Sequence, residues 1–431
     1  MSDAASHLPA GARPRVLHVI SDPRRRGAQS FARDLDRELR RRGQASALRA
    51  LAPPPDAPAS GRPRDDRFRD DRFGTGAPGC DQPCAGAACA GAAGSGSPGS
   101  DALDAGPPLT AGAPTGPPGE ARTAVLGPGR LHPRTLRALR AAARTADVVV
   151  AHGCGTLTAC ALALAGTRTP FVHVATGDPR SWGTGSSGRL RTRALLRRAA
   201  AVTARSDEAR AVLIDRFRLP GTLVRTIPNG RSADRYPPAL DAADRRAARS
   251  ALGLPAEGLL VAWVGAITAE KRLDLAMAAV CRMPDVRLAV AGDGPLRTAL
   301  EPRHDGARAI FLGHLADPAP LYRAADALLL TGGGEGVPGV LIEAGLAGLP
   351  AVATATEAGP VRSAVRDGVS GALAPPGDPA ALAEALAKVL AGDRPALGAA
   401  AREHVLPRFE LGVVADAWQG LLAEVARPGR G

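Results

Sequence analysis

ALLLTGGGEGVPGVLIEAGLAGLPAVAT, residues 327–354, holds the unit on which the fold turns. A short apolar run, ALLLT, enters a glycine-rich loop. The loop opens into VLIEAGLAG, which has the apolar spacing of a buried helix, and LPAVAT then reads as another buried run. Strand, glycine loop, helix and strand in that order form the repeating unit of a doubly wound α/β sheet.

The same alternation extends outward in both directions. VLHVIS (16–21), DVVVAH (147–152), FVHVAT (171–176), AAVTARS (200–206) and TLVRTIPNG (222–230) form a first set of candidate strands. A second set is LLVAWVGA (259–266), VRLAVAGDG (286–294), ARAIFLGH (307–314), ADALLLTGG (325–333) and LPAVAT (349–354). Each is nearly continuously apolar, as strands buried on both faces must be. Helical patterns lie between them at 31–43, 134–145, 273–282 and 379–393. Two such blocks predict two doubly wound, Rossmann-like α/β domains, over 1–235 and 259–408. Residues 236–258 read as a linker with one short helix, and 409–431 as a terminal helical segment. Residues 53–120 are rich in Pro, Gly, Ala, Ser and Asp, show no sustained period and read as a disordered insertion.

Composition narrows the function classes. The formal charge is +13, but only Lys271 and Lys388 are lysines and aromatics make up 3% of the chain. An arginine excess without interleaved aromatic residues does not describe a nucleic-acid binder. The N-terminus lacks the apolar core of a secretory signal, and no stretch approaches the roughly 18 apolar residues of a membrane span, so a cytoplasmic protein is expected. Cys80, Cys84 and Cys89 lie in the low-complexity tract, while Cys154, Cys160 and Cys281 lie in apolar segments. Without neighbouring histidines they fall short of a tetrahedral metal set, so reduced thiols and no metal are expected.

In open sheets of this class, ligands lie outside the carboxyl ends of the strands. Pro338 suits a first helical turn, and the amides of Gly339 and Val340 would point outward at the positive end of the helix, an anion site most naturally for phosphate. Glu343, a turn further on, suits the vicinal hydroxyls of a ribose, and Glu335 would reach the other end of a nucleoside diphosphate sugar. Spacing alone equally allows Glu335 as a helix cap and Glu343 as part of a solvated face.

At this point the sequence resembles the retaining glycosyltransferases of the GT-B fold. Their signature of two glutamates separated by seven residues is matched by Glu335, Gly336, Pro338, Glu343, Ala344, Gly348 and Pro350. RVLHVISDPRRRGAQSFARDLDRELRRRG, IPNG (227–230), VGAITAEKRLDL, GDGPLR (292–297) and FLGHL (311–315) also match in order and spacing.

The resemblance implies two domains facing a central cleft, with the terminal segment returning to the first domain. It also implies hexose transfer from a nucleoside diphosphate sugar to an acceptor hydroxyl, with no metal and no further cofactor. Lys271, Glu335 and Arg272 would be the catalytic set. Glu343, Gly339, Val340, Gly336, Gly313, His314 and Gly265 would bind the donor, with Gly27, Thr176 and Gly177 on the acceptor side of the cleft. The acceptor would be a glycan, lipid or small molecule, with peripheral contact to an anionic membrane through the arginines of 36–43 and 189–200.

The chain departs from the pattern at Ala266, where the family commonly has Arg, and at Arg272, where it usually has Gly. Thr176 stands for a family His, which leaves His173 earlier in the strand in a buried structural role, and Arg26 precedes Gly27 where two glycines are usual. These departures motivate an alternative, a nucleotide-sugar-binding protein of the same fold with weakened catalysis. A nicotinamide-dependent oxidoreductase lacks its full glycine fingerprint here.

Overall fold

The computed structural model describes residues 13–23, 27–54, 123–303, 308–332, 337–355 and 359–426. Two parallel sheets organise it. The first contains β1 (Val16–Ile20), β2 (Ser46–Ala50), β3 (Ala124–Val125), β4 (Val148–His152), β5 (Phe171–Val174), β6 (Ala201–Ala204) and β7 (Val224–Thr226), in the order β3-β2-β1-β4-β5-β6-β7. Its helices are α1 (Gly27–Arg41), α2 (Pro133–Ala143), α3 (Cys154–Ala163), α4 (Gly185–Leu196) and α5 (Asp207–Phe217).

After α6 (Ala242–Ala251), the second sheet brings in β8 (Leu259–Val264), β9 (Val286–Ala291), β10 (Ala309–Gly313), β11 (Ala327–Leu330), β12 (Ala351–Thr354) and β13 (Gly371–Ala374). They are ordered β10-β9-β8-β11-β12-β13. The second set of helices is α7 (Leu273–Cys281), α8 (Arg297–Leu300), α9 (Ala319–Ala324), α10 (Gly339–Leu346), α11 (Pro379–Ala391), α12 (Arg394–Phe409) and α13 (Leu411–Ala426). In both sheets the strand order reverses beside the first strand of the block, β1 against β4 and β8 against β11. Such reversals open a crevice at the carboxyl ends of those strands.

Most candidate strands shorten and three strands, β2, β3 and β13, are new. TLVRTIPNG contracts to β7, because Pro228 has no N–H to give a ladder. β2 buries only alternate residues, β3 has two residues, and β13 is built largely of Gly and Ala, so none reads as a long apolar run. The insertion lies outside the described residues from residue 55 onward, as do Cys80, Cys84 and Cys89.

Residues 236–258 are built into the second α/β block. Ala248 and Leu254 enter the same core cluster as Leu260, Leu321 and Leu328. Arg249 and Arg245 of α6 donate to the buried carboxylate of Asp326 at 2.8 and 2.7 Å, and the Leu260 amide donates to it at 2.8 Å. At the other end of the chain α13 lies on the first block. Its Val414, Trp418, Leu421 and Leu422 pack with Phe31, Leu35 and Leu39 of α1 and Val148 of β4. Gly230 packs tightly where the chain leaves the first sheet, since a Cβ there would stand 3.0 Å from the Leu411 backbone and 3.1 Å from Val414.

Three histidines sit fully buried on adjacent strands, His18 on β1, His152 on β4 and His173 on β5. His18 Nδ1 and His152 Nε2 are 2.9 Å apart, so one carries the shared proton and both rings are neutral. Burial pushes His18 and His173 down to about 4, and pushes His152 well below its ordinary value. The unfolded chain therefore takes up protons below pH ~6.5 that the fold refuses. The stability these rings confer is complete above that pH and is lost as pH falls toward 4. Each contributes up to about 1.4 kcal/mol of loss per pH unit. Thermal melts should fall steadily from pH 6.5 to 4.5, and an unchanged midpoint across that range would rule the effect out.

Candidate functional site

The carboxyl edge of the second sheet positions Lys271. β8 ends at Val264, and the Gly265 amide then donates to the Ala291 carbonyl at 3.0 Å, carrying the chain past Ala266 into a turn over Ala269–Lys271. Thr331, at the end of β11, clamps this turn. Its hydroxyl accepts from Trp263 Nε1 at 3.2 Å and lies 2.7 and 3.0 Å from the carbonyls of Arg272 and Lys271. Thr354 donates to the Thr331 carbonyl at 3.1 Å and fixes the clamp to β12.

Gly332 completes the seat. A Cβ there would stand 2.7 Å from both the Glu270 carbonyl oxygen and the Lys271 Cα, and backbone atoms cannot turn aside as a side-chain tip can. Gly332→Ala is expected to cost about 1–3 kcal/mol through overpacking and to push Lys271 outward. Urea denaturation checks the first effect; a loss under about 0.5 kcal/mol would mean the loop yields freely.

Lys271, Arg272, Thr331, Gly332, Pro338 and Thr354 line a cavity of about 210 Å³. Arg272 adopts left-handed backbone with φ 51°, a conformation that glycine takes at no steric cost. Its guanidinium grips Asp274 through Nε and Nη2 at 3.0 Å each. Half-exposed pairs of this kind are worth about 0–1 kcal/mol, so a multiply charged anion can compete for the guanidinium.

α10 begins at Gly339 with Pro338 as its N-cap residue, one position earlier than a first-turn proline. The Gly339 and Val340 amides have no acceptor within the helix, while Leu341 turns back to the Pro338 carbonyl at 3.1 Å. Glu343 is 8% exposed, which excludes the solvated-face reading. Its Oε1 accepts from Arg231 Nε at 2.7 Å and its Oε2 from the Tyr322 hydroxyl at 2.9 Å. Burial opposes the Arg231 charge, but Glu343 beside it more than offsets this and holds the guanidinium above its ordinary value. Burial and the same carboxylate push the Tyr322 phenol well up. Glu335 and Gly336 lie outside the described residues.

The remaining candidates also sit at strand ends. Gly313 closes β10 with φ 68° and accepts from the Gly292 amide at 2.8 Å, and His314 beside it is exposed. In the first block Gly27 begins α1, and Thr176 and Gly177 follow β5. The Thr176 hydroxyl stands 3.1 Å from where a Cβ on Gly153 would lie, beside the end of β4. Thus Lys271, Arg272 and Pro338, the N-cap residue of α10, share one cavity, while Glu343 is buried on the flank of α10 and does not line it. Arg231, Tyr322, Thr331 and Thr354 escaped the sequence reading. An arginine after IPNG carries no contrast in a chain this rich in arginine, and the other three acquire their roles through contacts across the sheet.

Among the described residues no group of His, Cys, Asp and Glu is arranged to hold a metal ion, and no helix is long and apolar enough to cross a membrane. Cys154 and Cys160 are thiols, and burial raises Cys154 to about 11 and Cys160 to about 12.

Comparison with known proteins agrees with this architecture. Residues 102–235 match the model of Glycosyltransferase Family 4, and residues 258–392 match that of Glycosyl transferases group 1. A D-inositol 3-phosphate glycosyltransferase of Mycolicibacterium vanbaalenii is 37% identical over 182 residues, covering 37% of this chain and 40% of that protein. One of Mycobacterium avium is 40% identical over 172 residues, covering 37% and 40%. The match thus spans about two fifths of the length of these curated relatives.

Among solved structures, Anabaena HepE in complex with UDP-glucose superposes with TM-score 0.68 at 18% identity, over 95% of this chain and all of that one. Sucrose-phosphate synthase from Thermosynechococcus elongatus gives TM-score 0.70 at 19% identity, over 96% of this chain and 99% of that one. With two parallel sheets of matching strand order and a family model seated on each half, the chain belongs to the GT-B glycosyltransferases.

Proposed function

We propose that this chain is a retaining, metal-independent hexosyltransferase that moves a sugar from a nucleoside diphosphate to an acceptor hydroxyl. The observation that carries the reading is the single cavity holding Lys271 beside the N-terminus of α10. A diphosphate there meets the Lys271 ammonium beside Pro338, with the Gly339 and Val340 amides next along the chain, and these groups stabilise the charge that builds on the leaving phosphate. Arg272 adds a second cation on leaving Asp274, in place of the arginine missing at Ala266. Glu343 receives the ribose hydroxyls and Glu335 the transferred sugar. The base rests near Gly313, His314 and Gly265. Gly27, Thr176 and Gly177 line the acceptor side. The departing phosphate takes the acceptor's proton on the face where the new bond forms, so no separate general base is needed.

The names of the relatives direct the first trials. UDP-glucose leads the donor panel and a phosphorylated cyclitol leads the acceptor panel. Titration calorimetry with UDP-, GDP-, ADP- and CDP-sugars, scored alongside released nucleotide, tests the reading. Binding with release and transfer supports it. Binding without release or transfer would favour the alternative, a nucleotide-sugar-binding protein of weakened catalysis. No binding by any member would overturn both.

Peripheral contact with an anionic membrane is supported by α4 and the residues after it, where Arg189, Arg191, Arg197 and Arg198 are exposed beside Leu190 at 66% exposure. Co-sedimentation with acidic vesicles that weakens with salt would support it, and failure to sediment at low salt would remove it.

A further inference from the structure

We propose that Arg231 is a positioning residue of the donor site, holding the Glu343 carboxylate charged and aimed so that both its oxygens can accept the hydroxyls of a nucleotide ribose. The proposal rests on the reading of Glu343 given above and adds a residue that this reading does not contain.

The geometry is specific. Arg231 lies on the crossing from the first sheet to the second, far from Glu343 in sequence, yet their side chains are 12% and 11% exposed and meet at 2.7 Å. The backbone of Arg231 cannot drift. Its amide donates to Phe409 at 2.8 Å and its carbonyl accepts from Leu411 at 2.9 Å, wedging it between the end of α12 and the start of α13. Nη1 donates to the Gly230 carbonyl at 3.0 Å. Nη2 lies so close to Gly339 that a methyl there would collide with it, which puts the guanidinium on the Gly339–Glu343 face of α10.

Among the described residues, each carboxylate oxygen of Glu343 therefore has one partner, Arg231 on Oε1 and Tyr322 on Oε2. One lone-pair direction remains on each, which is what two vicinal hydroxyls require. A buried carboxylate without a cation takes a proton, and the acid then presents a donor where the diol needs an acceptor. The other groups acting on this niche do not replace Arg231. Tyr322 and Tyr236 are both raised phenols that stay neutral, and Arg235 is drawn to Asp317 at 3.6 Å. Asp34 of α1 acts on Arg231 and Arg235 from farther off.

The test compares the full chain with Arg231→Met and Arg231→Lys in calorimetric titrations with UDP, GDP, ADP and CDP from pH 6.5 to 9. For the diphosphate that wild type binds best, Arg231→Met is expected to weaken binding about tenfold or more at pH 7. The ratio of variant to wild-type affinity should recover as pH rises, because alkali restores the carboxylate. Arg231→Lys keeps the cation and should show a smaller loss with a flat ratio. A merely structural role would lower the melting temperature and leave the ratio independent of pH. If Arg231→Met does not fold, Arg231→Gln, which retains a donor toward Oε1, carries the same pH comparison. Equal affinities at every pH, or a loss that does not change with pH, would overturn the proposal while leaving the donor site standing. Failure of wild type to bind all four diphosphates would overturn the site and this proposal together.

Discussion

Asp326→Ala is expected to lower the unfolding free energy by about 3–5 kcal/mol, the cost of stripping one partner from a buried ion pair. The side chains of Arg249 and Asp326 are 4% and 6% exposed, so the guanidinium left behind is a buried charge without its carboxylate. The carbonyls of Ala324 and Gly258, each 2.9 Å from Arg249, still accept from it, but they carry no countercharge. The Leu260 amide loses its side-chain acceptor as well, so the amino ends of β8 and β11 loosen together with α6. Asp326→Asn keeps an acceptor and should lose less. Urea denaturation followed by circular dichroism reads both variants, and a cost under about 1 kcal/mol for alanine would mean that water reaches the site readily.

The second large effect falls on turnover. Lys271→Met is expected to reduce transfer about 10²–10³-fold, the range found when one preorganised group is removed from developing charge. The loss should appear in kcat more than in KM, because the ammonium matters most when the leaving diphosphate gains charge. Lys271 is half-buried, held through its backbone by Thr331, so stability should move by only ~0.5 kcal/mol. Lys271→Arg should not restore full rate, since a planar fork cannot occupy the space of a compact ammonium in so small a cavity. Transfer unchanged in Lys271→Met would remove Lys271 from the site.

The two variants probe opposite ends of one sheet. Asp326 stands just before β11 and Thr331 just after it. One end is an ionic fastening that holds α6 onto the second block, and the other is an opening kept by glycine. Stability and chemistry are thus separable in this block, and the two measurements should respond independently.

Much of the fold was legible in the chain. Continuous apolar runs marked the buried strands because parallel sheets cover both faces, and the glycine loop before VLIEAGLAG marked the carboxyl end of β11. Three strands were not legible, since β2, β3 and β13 are short or built from small, half-buried residues. Residues 236–258 read as a linker because α6 is short and its buried Arg249 looks like a solvated arginine until Asp326 is brought to it.

Local sequence, then, determined the strand–loop–helix repeats, the placing of Lys271 at a strand end and the start of α10 beyond its proline. Those features depend on periodicity and on the conformational limits of Gly and Pro, which act over a few residues. Only the tertiary structure decided what Glu343 faces. Arg231 reaches it from 112 positions earlier in the chain and Tyr322 from 21 positions earlier, and no pattern within the chain encodes a pairing across that distance. The pairing exists because folding removes water from all three side chains at once, and a buried carboxylate is stable only where a cation and a donor meet it.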